Sequence, residues 1–152
     1  MNSINQLKSI KLKQYLVYNL NYSEKGSFLR KISRNQVLDV TTFMVILHTI
    51  NKYIELTHED QNLDKEVSYF VVKGFIHVSR DLLSCEEIPE FIPYTNLNGF
   101  QSIILYDLFA QTIERFFRGV SVPPYVLNNT IEENWSHADL ADLDIEKFKS
   151  FE

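Results

Sequence analysis

The chain has 152 residues, of which 45% are hydrophobic and 23% are charged, and its formal net charge is -5. This length and composition provide a core for one globular domain and exclude an intrinsically disordered protein. The charge is segregated, because residues 1–34 carry seven basic side chains and one acidic one, whereas residues 131–152 carry seven acidic and two basic ones. We expect residues 1–152 to form a single domain, with residues 120–152 as an irregular acidic C-terminal segment.

The basic N-terminal segment alternates between apolar and polar side chains. Between residues 10 and 22, even-numbered positions carry Ile10, Leu12, Leu16, Tyr18, Leu20 and Tyr22. A period of two is typical of a half-buried strand. Residues 23–26 fit a turn and residues 28–32 a returning strand, so we predict an N-terminal β-hairpin. A helix over residues 3–20 is the alternative.

Two segments have apolar side chains at helical spacing. Residues about 35–57 place apolar residues three and four apart, and further apolar positions widen that face. This pattern predicts a central helix that is contacted on more than one side. Residues about 97–118 show a second such stripe, with Asn96 or Asn98 as the N-cap and Gly119 at the residue after the helix.

The stretch between these two helices fits two structures. Residues about 62–84 have helical spacing over their whole length, which predicts a third long helix. A second hairpin at about residues 67–79, with its turn at Lys73 and Gly74, is the alternative. The predicted fold class is therefore mainly α, with three long helices and an N-terminal β-hairpin, and the alternative is an α+β fold with two hairpins.

Two histidines are candidates for acid–base chemistry. His48 lies within the apolar helix at 35–57, and His77 precedes Asp81 by four residues. If both segments are helical, the rings could meet in the core and form an acid–base or metal site. No H-x-x-x-H or H-x-x-E-H spacing supports that arrangement. We therefore favour two unrelated histidines, predict no metal, cofactor or catalysis, and keep a small enzyme using His48, His77 and Asp81 as an alternative.

The basic segment is also a candidate nucleic-acid surface. Its cations alternate with tyrosines, an arrangement that can follow a phosphate backbone and stack bases. The sequence pI of about 5.4 argues against this function. Nucleic-acid binding is therefore a second alternative, and it would use Lys11, Lys13, Arg30, Lys31 and Arg34.

The acidic C-terminal segment surrounds Trp135, which is the only tryptophan of the chain. An aromatic side chain ringed by carboxylates is typical of a surface that binds a basic protein. The alternative is that Trp135 packs back onto the core, because tryptophan is usually mostly buried. The predicted partner-binding residues are Glu132, Glu133, Trp135, Asp139, Asp142, Asp144 and Glu146.

These patterns together predict a small acidic protein that binds another protein and does not catalyse a reaction. It would neutralise or escort a basic partner, in the manner of an immunity protein, an antitoxin or a phage-encoded inhibitor. A single cysteine, Cys85, and the lack of a signal-peptide pattern or a long apolar segment predict a cytoplasmic protein without a membrane partner. The oligomeric state stays open.

Overall fold

The computed structural model describes residues 3–59, 63–87 and 93–152. For residues 85–87, which include Cys85, it describes the backbone alone. Within these ranges every regular element is an α-helix. The helices are α1 (Ser3–Asn19), α2 (Phe28–Asn35), α3 (Val40–Thr57), α4 (Lys65–Glu87), α5 (Gly99–Arg118), α6 (Pro124–Asn134), α7 (His137–Ala141) and α8 (Ile145–Lys149). The prediction of a mainly α fold is confirmed. The hairpin alternative at residues 67–79 is wrong, because α4 runs through it as one helix.

The predicted N-terminal β-hairpin is also wrong, because residues 3–19 and 28–35 are helical. Side chains two positions apart share one face of a strand, whereas side chains four positions apart share one face of a helix. An even-numbered series contains both spacings, so it fits either structure. Leu16 and Leu20 are accordingly buried, while Ile10 and Tyr18 of the same series are exposed. The alternating pattern therefore belongs to a helix, in which only some of the even-numbered side chains face the core.

The boundary between α2 and α3 explains why the central helix begins later than predicted. The N-terminus of α2 is capped by Ser27, whose hydroxyl accepts the backbone N–H of Arg30. The chain leaves α2 through Gln36, which has a positive φ of 54°. Asp39 then caps the start of α3 by accepting the backbone N–H of Thr42. Residues 36–39 are consequently a linker, and α3 begins at Val40.

The central helix α3 packs against α1, α5, α6 and α8, and residues along most of its length are buried. This confirms that the helix is contacted on more than one side. An aromatic cluster joins α3, α4 and α5, with ring centroids 5.7 Å apart for Phe43 and Phe109 and 5.3 Å apart for Phe75 and Phe109. Gly74 lets α4 approach α1, because a Cβ atom there would lie 2.8 Å from Leu20.

The C-terminal segment is helical, so the prediction of an irregular segment is wrong. Pro124 begins α6, where its missing N–H costs nothing, and Ser136 caps α7 by accepting the backbone N–H of Asp139. The segment is fixed to the core by Val122, whose N–H donates to Asn51 Oδ1 at 2.7 Å, and by the buried Phe148 of α8. None of the helices in the described ranges is both long and apolar enough to cross a membrane.

Candidate functional site

A groove of about 300 Å³ opens between the start of α3, the start of α5 and helix α7, and we call it the acidic groove. Its rim carries the carboxylates of Asp39, Asp139 and Asp142, and no lysine or arginine is among the residues that line it. Its apolar lining includes Leu97 and Trp135. A concave surface lined by one sign of charge attracts the opposite charge.

Hydrogen bonds hold two of the three carboxylates in place. Asp39 accepts both the backbone N–H and the hydroxyl of Thr42, at 3.0 and 2.6 Å, as part of the α3 cap. Asp139 Oδ2 accepts from Gln101 Nε2 at 3.1 Å. The Gln101 side-chain oxygen in turn accepts the backbone N–H of Asn98, so this one amide joins the start of α5 to α7. The rim is therefore built by the capping interactions of two long helices.

Trp135 lies in the floor of the acidic groove and does not project from its rim. Only 6% of the residue is exposed, and its backbone N–H donates to Ile131 at the end of α6. The structure thus agrees with the alternative in which the tryptophan packs onto the core. An exposed aromatic anchor is absent here, and the residues available to a partner are the carboxylates around it.

The other predicted acidic residues are not among those that line the groove. Glu132 forms an ion pair with Lys149 at 2.7 Å, which ties α6 to α8. Glu133, Asp144 and Glu146 are exposed and are not among the residues lining the groove. The predicted set therefore divides, with Trp135, Asp139 and Asp142 brought together in the groove. Asp39 completes the rim and was missed, because it lies far from Asp139 and Asp142 in the sequence.

His48 is a core residue, with 1% of its surface exposed. Its Nε2 atom lies 2.7 Å from Asn128 Oδ1, and its ring stacks on Phe151 with centroids 4.9 Å apart. The Asn128 amide nitrogen donates to Glu152 Oε2 at 2.9 Å, which leaves the amide oxygen to accept from His48. Burial lowers the pKa of His48, and the hydrogen bond that His48 donates to Asn128 opposes that shift. These contacts fasten the C-terminal residues to α3.

His77 lies in a different environment, on the side of α4 that faces α2. Its Nε2 atom is 2.8 Å from Ser33 Oγ, and its ring lies 5.9 Å from that of Tyr22. Burial lowers the pKa of His77, while the nearby Asp81 acts in the opposite direction. Asp81 accepts the hydroxyl hydrogen bond of Tyr94 at 3.1 Å. The two histidines thus have separate partners on separate elements, and no contact joins them among the described residues.

The basic candidates lie on α1 and α2 and follow no strand. Lys13 forms ion pairs with Asp64 at 2.8 Å and with Glu66 at 3.7 Å, and it links α1 to the start of α4. Arg30 donates to the backbone oxygen of Ser23 at 3.5 Å. The remaining three, Lys11, Lys31 and Arg34, are exposed. Two of the five predicted cations, Lys13 and Arg30, therefore have partners within the described part of the chain.

Within the described ranges, no group of three or more His, Cys, Asp and Glu side chains could hold a metal ion. A scan against protein-family models found no matching family, and searches of curated proteins and of solved structures found no matching protein.

Proposed function

We propose that this chain is a non-catalytic protein-binding protein whose acidic groove holds a lysine- or arginine-bearing surface of a partner protein. The observation that supports this proposal is the convergence of Asp39, Asp139 and Asp142 around a depression with both apolar and polar side chains in its lining and no cation among the described lining residues. A long basic side chain can lay its aliphatic stem on such a floor and place its charged end among the carboxylates.

The proposal includes the consequence of binding, which is to neutralise or escort the basic partner. Immunity proteins, antitoxins and phage-encoded inhibitors are proteins of this kind, and they act by covering a surface without chemistry of their own. We place this activity in the cytoplasm on the basis of cysteine usage, because the chain has one cysteine and so cannot form an internal disulfide. Electrostatic attraction between the groove and the partner would also raise the association rate.

The two alternative functions have less support. An acid–base site needs its groups within hydrogen-bond distance of one substrate, whereas His48 and His77 bind Asn128 and Ser33 respectively. A nucleic-acid surface needs cations that are open to phosphates, and Lys13 is engaged by two carboxylates. The acidic groove is the arrangement that we therefore test first.

The experiment is an affinity purification from cells that naturally contain the chain, with quantitative mass spectrometry of the retained proteins. The test variant is Asp139→Lys/Asp142→Lys, which reverses two charges of the rim. The matched control is Asp107→Lys/Glu114→Lys, which changes the net charge equally on exposed positions of α5 outside the groove.

The proposal predicts that the wild-type chain and the control retain the same basic protein and that the test variant loses it. Salt should also weaken this retention, because rim charges act through screened electrostatics. Equal retention by the test variant and the control would overturn the proposal, as would a retained protein whose binding is unaffected by salt.

A further inference from the structure

A second groove, of about 610 Å³, lies between α4 and α5, and we call it the tyrosine groove. Its lining is formed by Leu63, Lys65, Ser68, Tyr69, Val72, Lys73 and Phe117. The N-terminal end of α4 meets the C-terminal end of α5 here, while Phe75 contacts Tyr106 and Phe109 farther along, so the two helices are antiparallel. An amphipathic helix of another protein can bind in a groove between two packed helices.

The outer face of α4 leaves two large apolar side chains exposed among charged ones. Residues such as Val67, Val71 and Val78 are buried against the core and account for one face of the helix. On the outside, Tyr69 is 56% exposed and Ile76 is 50% exposed, and Phe117 of α5, which lines the tyrosine groove together with Tyr69, is 48% exposed. Contiguous exposed aromatic and aliphatic side chains of this kind mark interaction surfaces, and tyrosine is prominent in binding hot spots.

The charged side chains that line the tyrosine groove in the described part of the chain are both lysines. Lys65 and Lys73 stand along the tyrosine groove, and the Lys73 Nζ atom lies 5.8 Å from the centroid of the Tyr69 ring. Tyr69 and Lys73 also line a neighbouring groove of about 380 Å³ that includes Tyr22 and His77. Among the residues that the structure describes, no carboxylate lines either groove, and the neighbouring Glu66 is paired with Lys13 at 3.7 Å. The surface is therefore complementary to an acidic ligand.

We propose that the tyrosine groove binds an acidic amphipathic helix of another protein. The apolar face of that helix would cover Tyr69, Val72 and Phe117, and its acidic residues would meet the two lysines. Lys65 and Lys73 are two helical turns apart, a distance of about 12 Å along the axis, which matches acidic residues spaced seven or eight positions apart. A second copy of this chain is disfavoured on the same face, because a symmetric contact would set lysines against lysines.

The test is a selection from a displayed library of amphipathic helical peptides. Apolar residues are fixed at three- and four-residue spacing, and the other positions are randomised among Glu, Gln and Lys, so that the protein chooses the sign of the charge. The immobilised proteins are the wild type, Tyr69→Ser, Lys65→Glu/Lys73→Glu and, as the matched control, Lys11→Glu/Lys31→Glu. Circular dichroism confirms that each variant is folded.

The proposal predicts that the wild type and the control enrich Glu-rich peptides, with affinity falling at least about tenfold for Tyr69→Ser. The Lys65→Glu/Lys73→Glu variant should reverse the preference and enrich Lys-rich peptides. Three results would each overturn the proposal: no enrichment on the wild type, no charge bias among the enriched peptides, or equal binding to the charge-reversed groove. The Asp139→Lys/Asp142→Lys variant should select the same peptides as the wild type, which separates this site from the acidic groove.

Discussion

The acidic groove and the tyrosine groove differ in how far their aromatic side chains are exposed to solvent. The floor of the acidic groove includes Trp135, which is 6% exposed, and its rim consists of carboxylates. The tyrosine groove displays Tyr69 at 56% exposure, and its charged residues are lysines. A partner of the acidic groove can therefore be selected mainly by charge. A partner of the tyrosine groove can also be selected by apolar contact, since its aromatic side chains are free to be covered.

This difference means that substitutions of apolar residues should have different effects in the two grooves. The apolar part of the acidic groove is shared with the fold, so changes to it alter the folded state as well as the surface. The apolar part of the tyrosine groove contributes little to folding, so changes to it act on recognition. Exposed substitutions typically change stability by less than about 0.5 kcal/mol, whereas truncation of a buried aromatic residue costs several kcal/mol.

The largest expected effect comes from truncating the buried Trp135, and truncation of the exposed Tyr69 is its comparison. Trp135→Ala should lower the free energy of unfolding by about 3–5 kcal/mol, because it leaves a cavity beneath the acidic groove. Tyr69→Ala should change it by less than about 0.5–1 kcal/mol, because the side chain is mostly in solvent. Urea unfolding followed by circular dichroism measures both values. Equal losses for the two variants would contradict the distinction between the grooves.

A second expected effect is a loss of stability as the pH falls. Burial lowers the pKa of His48 in the folded protein below its ordinary value of 6.5, and its Nδ1 atom is buried without a hydrogen-bond partner in the described structure. The unfolded chain therefore binds a proton more readily, and stability is lost as the pH drops below about 6.5. Urea unfolding from pH 7.5 to 5 measures this slope in the wild type.

Replacement of each histidine separates their contributions. His48→Gln should reduce the slope, because the group that titrates in the unfolded chain is removed. His77→Gln provides the comparison on the other side of the molecule, where burial also lowers the pKa but the ring is less enclosed. An unchanged slope in His48→Gln would show that His48 is not the origin of the pH dependence.

The smallest expected effect concerns the ion pair beside the tyrosine groove. Lys13 joins α1 to Asp64 and Glu66 at the start of α4, and the three side chains are partly or largely exposed. Lys13→Ala should lower the free energy of unfolding by only about 0.2–1 kcal/mol, and high salt should reduce the difference from the wild type. A loss of several kcal/mol would instead show that this pair acts as a buried one.

The sequence predicts the three long helices because their apolar residues recur over many turns. Asn98 and Gly119 also act at the ends of α5 as expected, with Asn98 capping the start and Gly119 following the end at a φ of 68°. The N-terminal hairpin was predicted wrongly because Leu12, Leu16 and Leu20 satisfy a period of two and a period of four at once. Local spacing could not decide between them, since tertiary burial determines which of the alternating residues lie inside.

The acidic groove was predictable in part. The cluster of acidic residues around Trp135 indicated the region, and Asp139 and Asp142 do lie in the groove. Asp39 could not be assigned to it, because only the packing of α7 against the starts of α3 and α5 brings these distant residues together. The tyrosine groove has no sequence signal of its own, because Tyr69 and Val72 lie in the same apolar run as the buried Val71, and that run does not show which of its side chains stay exposed.

The most direct test of the central claim uses the protein recovered by affinity purification. Its dissociation constant is measured by surface plasmon resonance for the wild type, Asp142→Lys and the matched control Asp107→Lys. The acidic groove predicts that Asp142→Lys weakens binding by at least about tenfold, or about 1.4 kcal/mol, and that the control leaves the affinity within about twofold of the wild type. Equal affinities for Asp142→Lys and the control would contradict the account, because the groove would then not be where the partner binds.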